Sequence, residues 1–269
     1  MSEVVVRSNK PVHVGREVQR VHATGLPHRV DVSEVRRDVR AGSLYMTQNT
    51  GPERYLQAYR ELGYARGLPD QMAIHLGGHV GRTWIVCDLW RERSDLEAHF
   101  SEAIVAAVSN VMRDHGAATD DQGRPVDIEP DIRPVEDFLL SADAASFVDI
   151  AEDDDRQSIH RLGGAPVMMN IRFPAQSAQD YESLMTELGF ADALPVGLIA
   201  HAAGDARSGR WIAEVWRDEA TARSYLEDGY LPALARVTGD SSFDEGEQLL
   251  VVQLERLVFG REIVRRFGY

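Results

Sequence analysis

One cysteine, Cys87, and one lysine, Lys10, stand in a chain of 269 residues. A single thiol can make no intrachain disulfide and no multi-cysteine zinc or iron–sulfur site, which fits a reducing compartment. With its only lysine at position 10, the chain has no G-x-x-x-x-G-K-[ST] phosphate loop, and Schiff-base chemistry would rest on that residue alone. Positive charge is also scarce. The 29 Lys and Arg face 43 Asp and Glu, a formal net charge of −14. The mean field therefore repels phosphate backbones and anionic lipid, and neither nucleic acid nor a membrane is expected as a partner. No apolar run approaches the roughly 18 to 20 residues of a spanning helix, and Met1 to Lys10 has neither a secretory nor a transit pattern. A cytoplasmic protein is expected. There is no G-x-S-x-G, no G-x-G-x-x-G and no cysteine–histidine set at metal spacing. No metal and no organic cofactor is implied.

The chain does contain a repeat. Adding 126 to a position in the first half lands on the same residue in the second for Tyr55 and Tyr181, for Glu61-Leu62-Gly63 and Glu187-Leu188-Gly189, and for Leu68-Pro69 and Leu194-Pro195. It does so again for His75 and His201, Gly78 and Gly204, and Trp90-Arg91 and Trp216-Arg217. With Ala65, Ala107 and Val111 this makes 13 identities in 57 ungapped positions, where average composition would give about three or four. An internal duplication is the reading.

Each copy shows the same order of elements. First strands are expected over residues 44–49 and 167–173, each followed by a helix with apolar residues at helical spacing, Tyr55, Tyr59, Leu62 and Tyr181, Leu184, Met185, Leu188. Gly63 and Gly189 sit where a left-handed C-terminal cap is wanted, and Pro69 and Pro195 prevent continuation. Strands over 72–76 and 84–90 meet in a Gly-rich hairpin. A second helix starts near Ser94, where Ser94 and Glu97 have capping-box spacing, and Gly229 and Pro232 are expected to bend its counterpart. Last strands over 131–140 and 249–259 complete two β-α-β-β-α-β units, an α+β, ferredoxin-like class.

The domain reading is an N-terminal extension (1–42) covering an exposed edge, repeat 1 (43–140), an acidic linker (141–165), repeat 2 (166–260) and a short tail (261–269). The linker carries the run Glu152-Asp153-Asp154-Asp155, read as a solvated face. A four-stranded sheet with both helices on one face leaves the other face bare, and two repeats can cover each other.

The runs Gly197-Leu198-Ile199-Ala200-His201-Ala202-Ala203-Gly204 and Glu214-Val215-Trp216-Arg217, with the looser Gln71 to Gly78 and Asp88-Leu89-Trp90-Arg91, resemble the dimeric α/β-barrel superfamily, especially its antibiotic-biosynthesis-monooxygenase-like group. The resemblance covers both repeats and not the extension. It implies two units packed sheet to sheet as an internal pseudo-dimer. The superfamily includes cofactor-independent oxygenases of polycyclic phenols, cyclases and heme enzymes, so the fold alone assigns no reaction.

Strand alternation groups Ile85, Cys87 and Leu89 on one face of their strand, and Trp84, Val86, Asp88 and Trp90 on the other. The apolar set is expected under the helices, leaving Asp88 with Trp90, and Glu214 with Trp216, facing the space between sheets. A hairpin pairing residues whose numbers sum to 163 sets His75 opposite Asp88, and the repeat offset sets His201 opposite Glu214. A carboxylate beside an imidazole orients the ring and makes a general base for a phenolic or enolic proton. The same pair is equally read as a buried contact that fixes register. Trp90 and Trp216 are cavity wall or core, Tyr55 and Tyr181 are helix packing residues, and Arg91 and Arg217 either cap strand ends or meet an anionic group at the cavity mouth. Asp205 replaces His79 beside the second pair, which favours His75 as the working base.

The leading expectation is a small-molecule enzyme that acts on an aromatic or polyketide-like substrate by proton abstraction, with or without oxygen attack. The alternatives are a non-catalytic binding or sequestration protein of the same fold, and a module whose sheets mediate homo-oligomerisation.

Overall fold

The computed structural model describes residues 39–47, 52–81, 83–114, 130–141, 144, 165–174, 176–191, 193–206, 209–240, 243 and 249–266. The expected strand-like Val4-Val5-Val6, the acidic run at 152–155 and, but for Val39, the expected amphipathic Val30 to Val39 lie outside these residues.

The first half runs β1 (Ala41–Thr47), α1 (Pro52–Glu61), β2 (Met72–Val80), β3 (Thr83–Trp90), α2 (Arg93–His99), α3 (Val105–Asp114), β4 (Asp131–Pro134) and β5 (Asp137–Leu140). The second half follows the same order: β6 (Val167–Phe173), α4 (Ala178–Glu187), β7 (Leu198–Ala206), β8 (Gly209–Trp216), α5 (Glu219–Tyr225), α6 (Leu231–Thr238) and β9 (Leu249–Phe259), then α7 (Arg261–Arg266). Gly63 and Gly189 adopt φ of 76° and 71°, the left-handed turn that stops α1 and α4.

Three local expectations are corrected. The N-cap of α2 is Glu92 with no side-chain cap, because Glu97 is taken by Arg93 at 2.7 Å; the capping box is at Ser177 and Asp180 on α4 instead. A wide π turn interrupts the second helix in both halves, at Phe100–Ile104 and Leu226–Tyr230, so Gly229 and Pro232 are not its cause. The last strand of the first half is two segments, β4 and β5.

All pairings are antiparallel and form one nine-stranded sheet in the order β4-β1-β3-β2-β9-β6-β8-β7-β5. The last strand of each half serves both. In β9, Leu249 to Gln253 pair with β6 of its own half, and Gln253 to Phe259 pair with β2 of the other. Likewise β4 pairs with β1, while β5 pairs with β7. Hydrogen bonding is continuous between those two segments, since Val135 N donates to Arg40 O and Glu136 N to Ala203 O, both at 2.9 Å.

This exchange demands close backbone approach. A Cβ on Gly204 would lie 2.1 Å from Pro134 O, the carbonyl that accepts from Trp211 Nε1 at 3.1 Å. Gly204→Ala is therefore expected to lose about 1–3 kcal/mol, the usual cost of forcing atoms into a filled joint, read as a lower urea midpoint at unchanged slope. An unchanged midpoint would show that the joint opens freely.

Core placement reverses one expectation. Ile85, Cys87 and Leu89 pack with Trp211, Ala213 and Val215 in a cluster drawn from strands of both halves. Trp84 and Val86 pack instead with Tyr55 and Ala58 of α1 and with Val108 and Val111 of α3. The apolar faces of the two halves meet each other, and the polar-bearing faces lie under the helices. Strand parity sorts residues into faces correctly but does not say which face looks where. The distinction was hidden because β3 is buried on both faces, and seven of its eight residues are fully buried.

Candidate functional site

The two histidine–carboxylate pairs form at the expected registers. His75 pairs with Asp88 across β2 and β3, and His201 with Glu214 across β7 and β8. His75 Nδ1 meets Asp88 Oδ1 at 2.6 Å, and His201 Nδ1 meets Glu214 Oε1 at 3.0 Å. All four side chains are buried. They lie between sheet and helices, not between the sheets.

The helix on that side supplies what was missing from the expected pair. Tyr55 Oη on α1 lies 2.5 Å from His75 Nε2, and Tyr181 Oη on α4 lies 2.8 Å from His201 Nε2. Tyr55 and Tyr181 are thus more than helix packing. Asp88 fixes the proton of His75 on Nδ1, so Nε2 accepts from the Tyr55 hydroxyl. The phenol stays protonated: burial above all, then Tyr59 and Asp88, pushes Tyr55 well above its usual range, against Arg256, which lowers it. Tyr55, His75 and Asp88 form a chain in which each proton has one donor and one acceptor.

That chain borders a slot. Between the sheet and helices α1 and α3, Tyr45, Thr47, Arg54, Tyr55, Ala58, Tyr59, Leu62, Tyr64, His75, Trp84, Val86, Val108 and Val111 enclose about 460 Å³ of unoccupied space, open mouth included, of which about 30 Å³ admits the centre of a water-sized molecule. As it stands, that is room for roughly two or three waters.

The second half has the pair but not the same surroundings. At the offset of 126, Thr47 becomes Phe173, Ala58 becomes Leu184 and Val108 becomes Leu234, all larger and all buried in one apolar cluster. Tyr45, Tyr59 and Tyr64 become Ile171, Met185 and Phe190, which removes three hydroxyls. Trp84 becomes Arg210, whose guanidinium lies 4.5 Å from the Tyr181 ring centre and pairs with Glu136 at 2.6 Å and Asp205 at 2.8 Å. Asp205 is therefore spoken for, and the argument that it acts on His201 fails. The anion that does reach the second site is Asp137, which accepts from Tyr181 Oη at 3.1 Å.

The remaining expected residues lie elsewhere. Trp90 packs with Ala41, Tyr64, Leu68, Met72 and Leu96, so it stands behind the slot-lining Tyr64 and does not line the slot itself. Trp216 is core, its Nε1 donating to Glu214 Oε2 at 2.9 Å. Arg91 and Arg217 follow the ends of β3 and β8, and Arg217 Nε lies 3.9 Å from Asp218 Oδ2. Neither meets the slot. Cys87 is buried, and desolvation pushes its thiol up to about 12, so it is inert. Among the described residues no group of three or more His, Cys, Asp or Glu could hold a metal ion.

Sequence reasoning missed the tyrosines. Tyr55 and Tyr181 stood among the repeat identities, each 20 residues before its histidine, which was the available signal. Tyr64 had none. Its hydroxyl lies 2.7 Å from His99 Nε2, a half-buried imidazole whose pKa burial lowers.

The chain is an α+β protein in which a protonated tyrosine, a histidine and an aspartate border a small slot. No family model matches the chain, and no curated protein matches it in sequence. Solved structures do match in fold. A "putative monooxygenase" from Lactobacillus acidophilus superposes with a TM-score of 0.52 at 10% identity over 82% of this chain and 96% of that one. Another from Fusobacterium nucleatum gives 0.51 at 11%, over 82% and 94%. The likeness is one of fold, and it agrees with the superfamily that the sequence motifs resemble.

Proposed function

We propose that the chain is a small-molecule enzyme, and that its first half carries the working site. The observation that supports this is the slot at Tyr55, His75 and Asp88, set against the bulkier residues at the equivalent positions of the second half. A hydroxy-aromatic or enolic substrate of one ring gives its acidic proton to Tyr55 Oη while the Tyr55 proton moves to His75 Nε2. Asp88 stabilises the imidazolium so formed. The electron-rich anion can then add dioxygen, giving a hydroperoxide once the imidazolium returns the proton.

In the same reading the chain is an internal pseudo-dimer, with repeats at 43–140 and 166–260 closed into one barrel by exchange of their last strands. The linker at 141–165 and the tail from 261 lie outside the repeats, as does the extension at 1–42 except for Ala41 and Gly42, which belong to β1. The ligand is a small molecule, and the charge of −14 disfavours nucleic acid. No helix among the described residues is long and apolar enough to cross a membrane.

The test is a panel of single-ring phenols and hydroquinones, followed by oxygen consumption and by ligand binding. Ala58→Leu, which places in the first half the side chain that the second half already has, is expected to abolish both with little loss of stability. Binding without consumption of any panel member would leave a binding protein and refute the enzyme. Full activity in Ala58→Leu would move the site elsewhere.

A further inference from the structure

Beyond Arg210 over the Tyr181 ring, the two halves differ in a charge carried by the exchanged strands, which neither the repeat nor the slot lining reveals. On β2, Gly77 lies two residues beyond His75 and so shares its face, as shown by a Cβ built on Gly77, which would fall 2.6 Å from Tyr55 Oη. The residue paired with Gly77 on β9 is Arg256. The register shifts between Gly77 and Gly78, where Leu254 pairs with Gly78, so Glu255 is the extra residue of a bulge. Such a bulge re-aims its neighbours. Arg256 Cζ stands 5.8 Å from the ring centre of Tyr59, and Glu255 turns to His79 Nδ1 at 2.5 Å.

In the second half the position equivalent to Gly77 is Ala203, and its partner on β5 is Asp137. The exchanged strand therefore delivers a cation beside Tyr55 and an anion beside Tyr181. The hydrogen bonds differ accordingly. Tyr181 has one proton and two acceptors, Asp137 Oδ2 and His201 Nε2. If that proton goes to Asp137, His201 must donate from both ring nitrogens, and an imidazole in that state cannot take a proton from a substrate. Tyr55 donates to His75 Nε2, and Arg256 opposes the upward shift that burial imposes on its phenol.

We infer that Arg256, carried by the last strand of the second half, is a positioning residue of the first half's site, where its charge holds the substrate's reacting oxygen as an anion next to Tyr55. The substrate class is thereby a compound that reacts as a phenolate or enolate. The inference rests on the proposed site at Tyr55 and His75. Other charged and titratable groups around that oxygen are Arg54 on α1, His75, Asp88, the ion-paired Glu255 and His79, and the phenols of Tyr45, Tyr59 and Tyr64. Arg54 supplies a second cation at the lining, so the effect of Arg256 is read by difference.

The experiment uses 4-nitrophenol, whose phenolate absorbs separately from its phenol, with the full chain. Bound 4-nitrophenol is expected to titrate at lower pH than the free compound. Arg256→Gln is expected to reduce the ionised-to-neutral ratio of the bound probe about tenfold, while Arg256→Lys retains most of it. A probe that binds and titrates alike in the wild type and Arg256→Gln overturns the role of Arg256 and leaves the site standing. A probe that does not bind the wild type, or binds Ala58→Leu equally well, overturns both. If Arg256→Gln fails to fold, an Arg256→Lys protein whose bound probe titrates as the free compound does is the contrary result, because Lys keeps the charge to which the shift is assigned.

Discussion

Glu214→Ala is expected to destabilise the protein by about 3–5 kcal/mol, measured by urea unfolding at neutral pH. Glu214 is fully buried and accepts from His201 Nδ1 at 3.0 Å and from Trp216 Nε1 at 2.9 Å. Truncation leaves two donors without an acceptor and leaves the Tyr181–Asp137 arrangement without its balancing carboxylate, and breaking a buried pair from one side typically costs this much. Replacing both partners with apolar residues, His201→Leu with Glu214→Leu, is expected to recover part of the loss, since the buried pair is removed as a unit and Trp216 Nε1 alone is left without its acceptor. A single-variant loss under about 1 kcal/mol would mean that water or another group takes the place of Glu214.

The largest functional effect is expected at His75. His75→Gln should lower kcat/KM for a single-ring hydroxy-aromatic substrate by about 10²–10⁴, the usual contribution of a positioned general base. At equal folded fraction His201→Gln should change it by less than about threefold, with its cost appearing in stability. Tyr55→Phe should approach the His75 effect, because Tyr55 Oη is the group that meets His75 Nε2 and passes it the substrate's proton. Comparable losses from His75→Gln and His201→Gln would contradict the single working site, and a larger loss from His201→Gln would reverse the assignment. The preference for His75 survives from the sequence, but on new grounds. Asp205 is neutralised by Arg210, and the difference lies in side-chain volume and in Arg256 against Asp137.

Much of the fold was legible because its signals are local. The offset of 126 located matching elements, Gly63 and Gly189 marked the helix ends, and the hairpin sum of 163 placed His75 opposite Asp88. The Ser94 cap failed because Arg93 competes for Glu97, a contest between neighbours that spacing alone does not rank. The exchange of last strands was not legible: β9 is one unbroken strand of eleven residues, and nothing along it shows that its first part pairs with β6 and its second with β2.

By itself, the sequence determined which residues share a strand face and which histidine meets which carboxylate, because pleat parity and hairpin register are properties of the chain within a few residues. Only the tertiary structure decided that this face lies under the helices, that Tyr55 completes the pair, and that Arg256 arrives from the other half. Those contacts join residues separated by 20 positions in one case and by about 180 in the other. They depend on how a sheet buried on both sides is wrapped and closed, and two faces that are both buried leave no trace in the sequence of which one turns toward the other half.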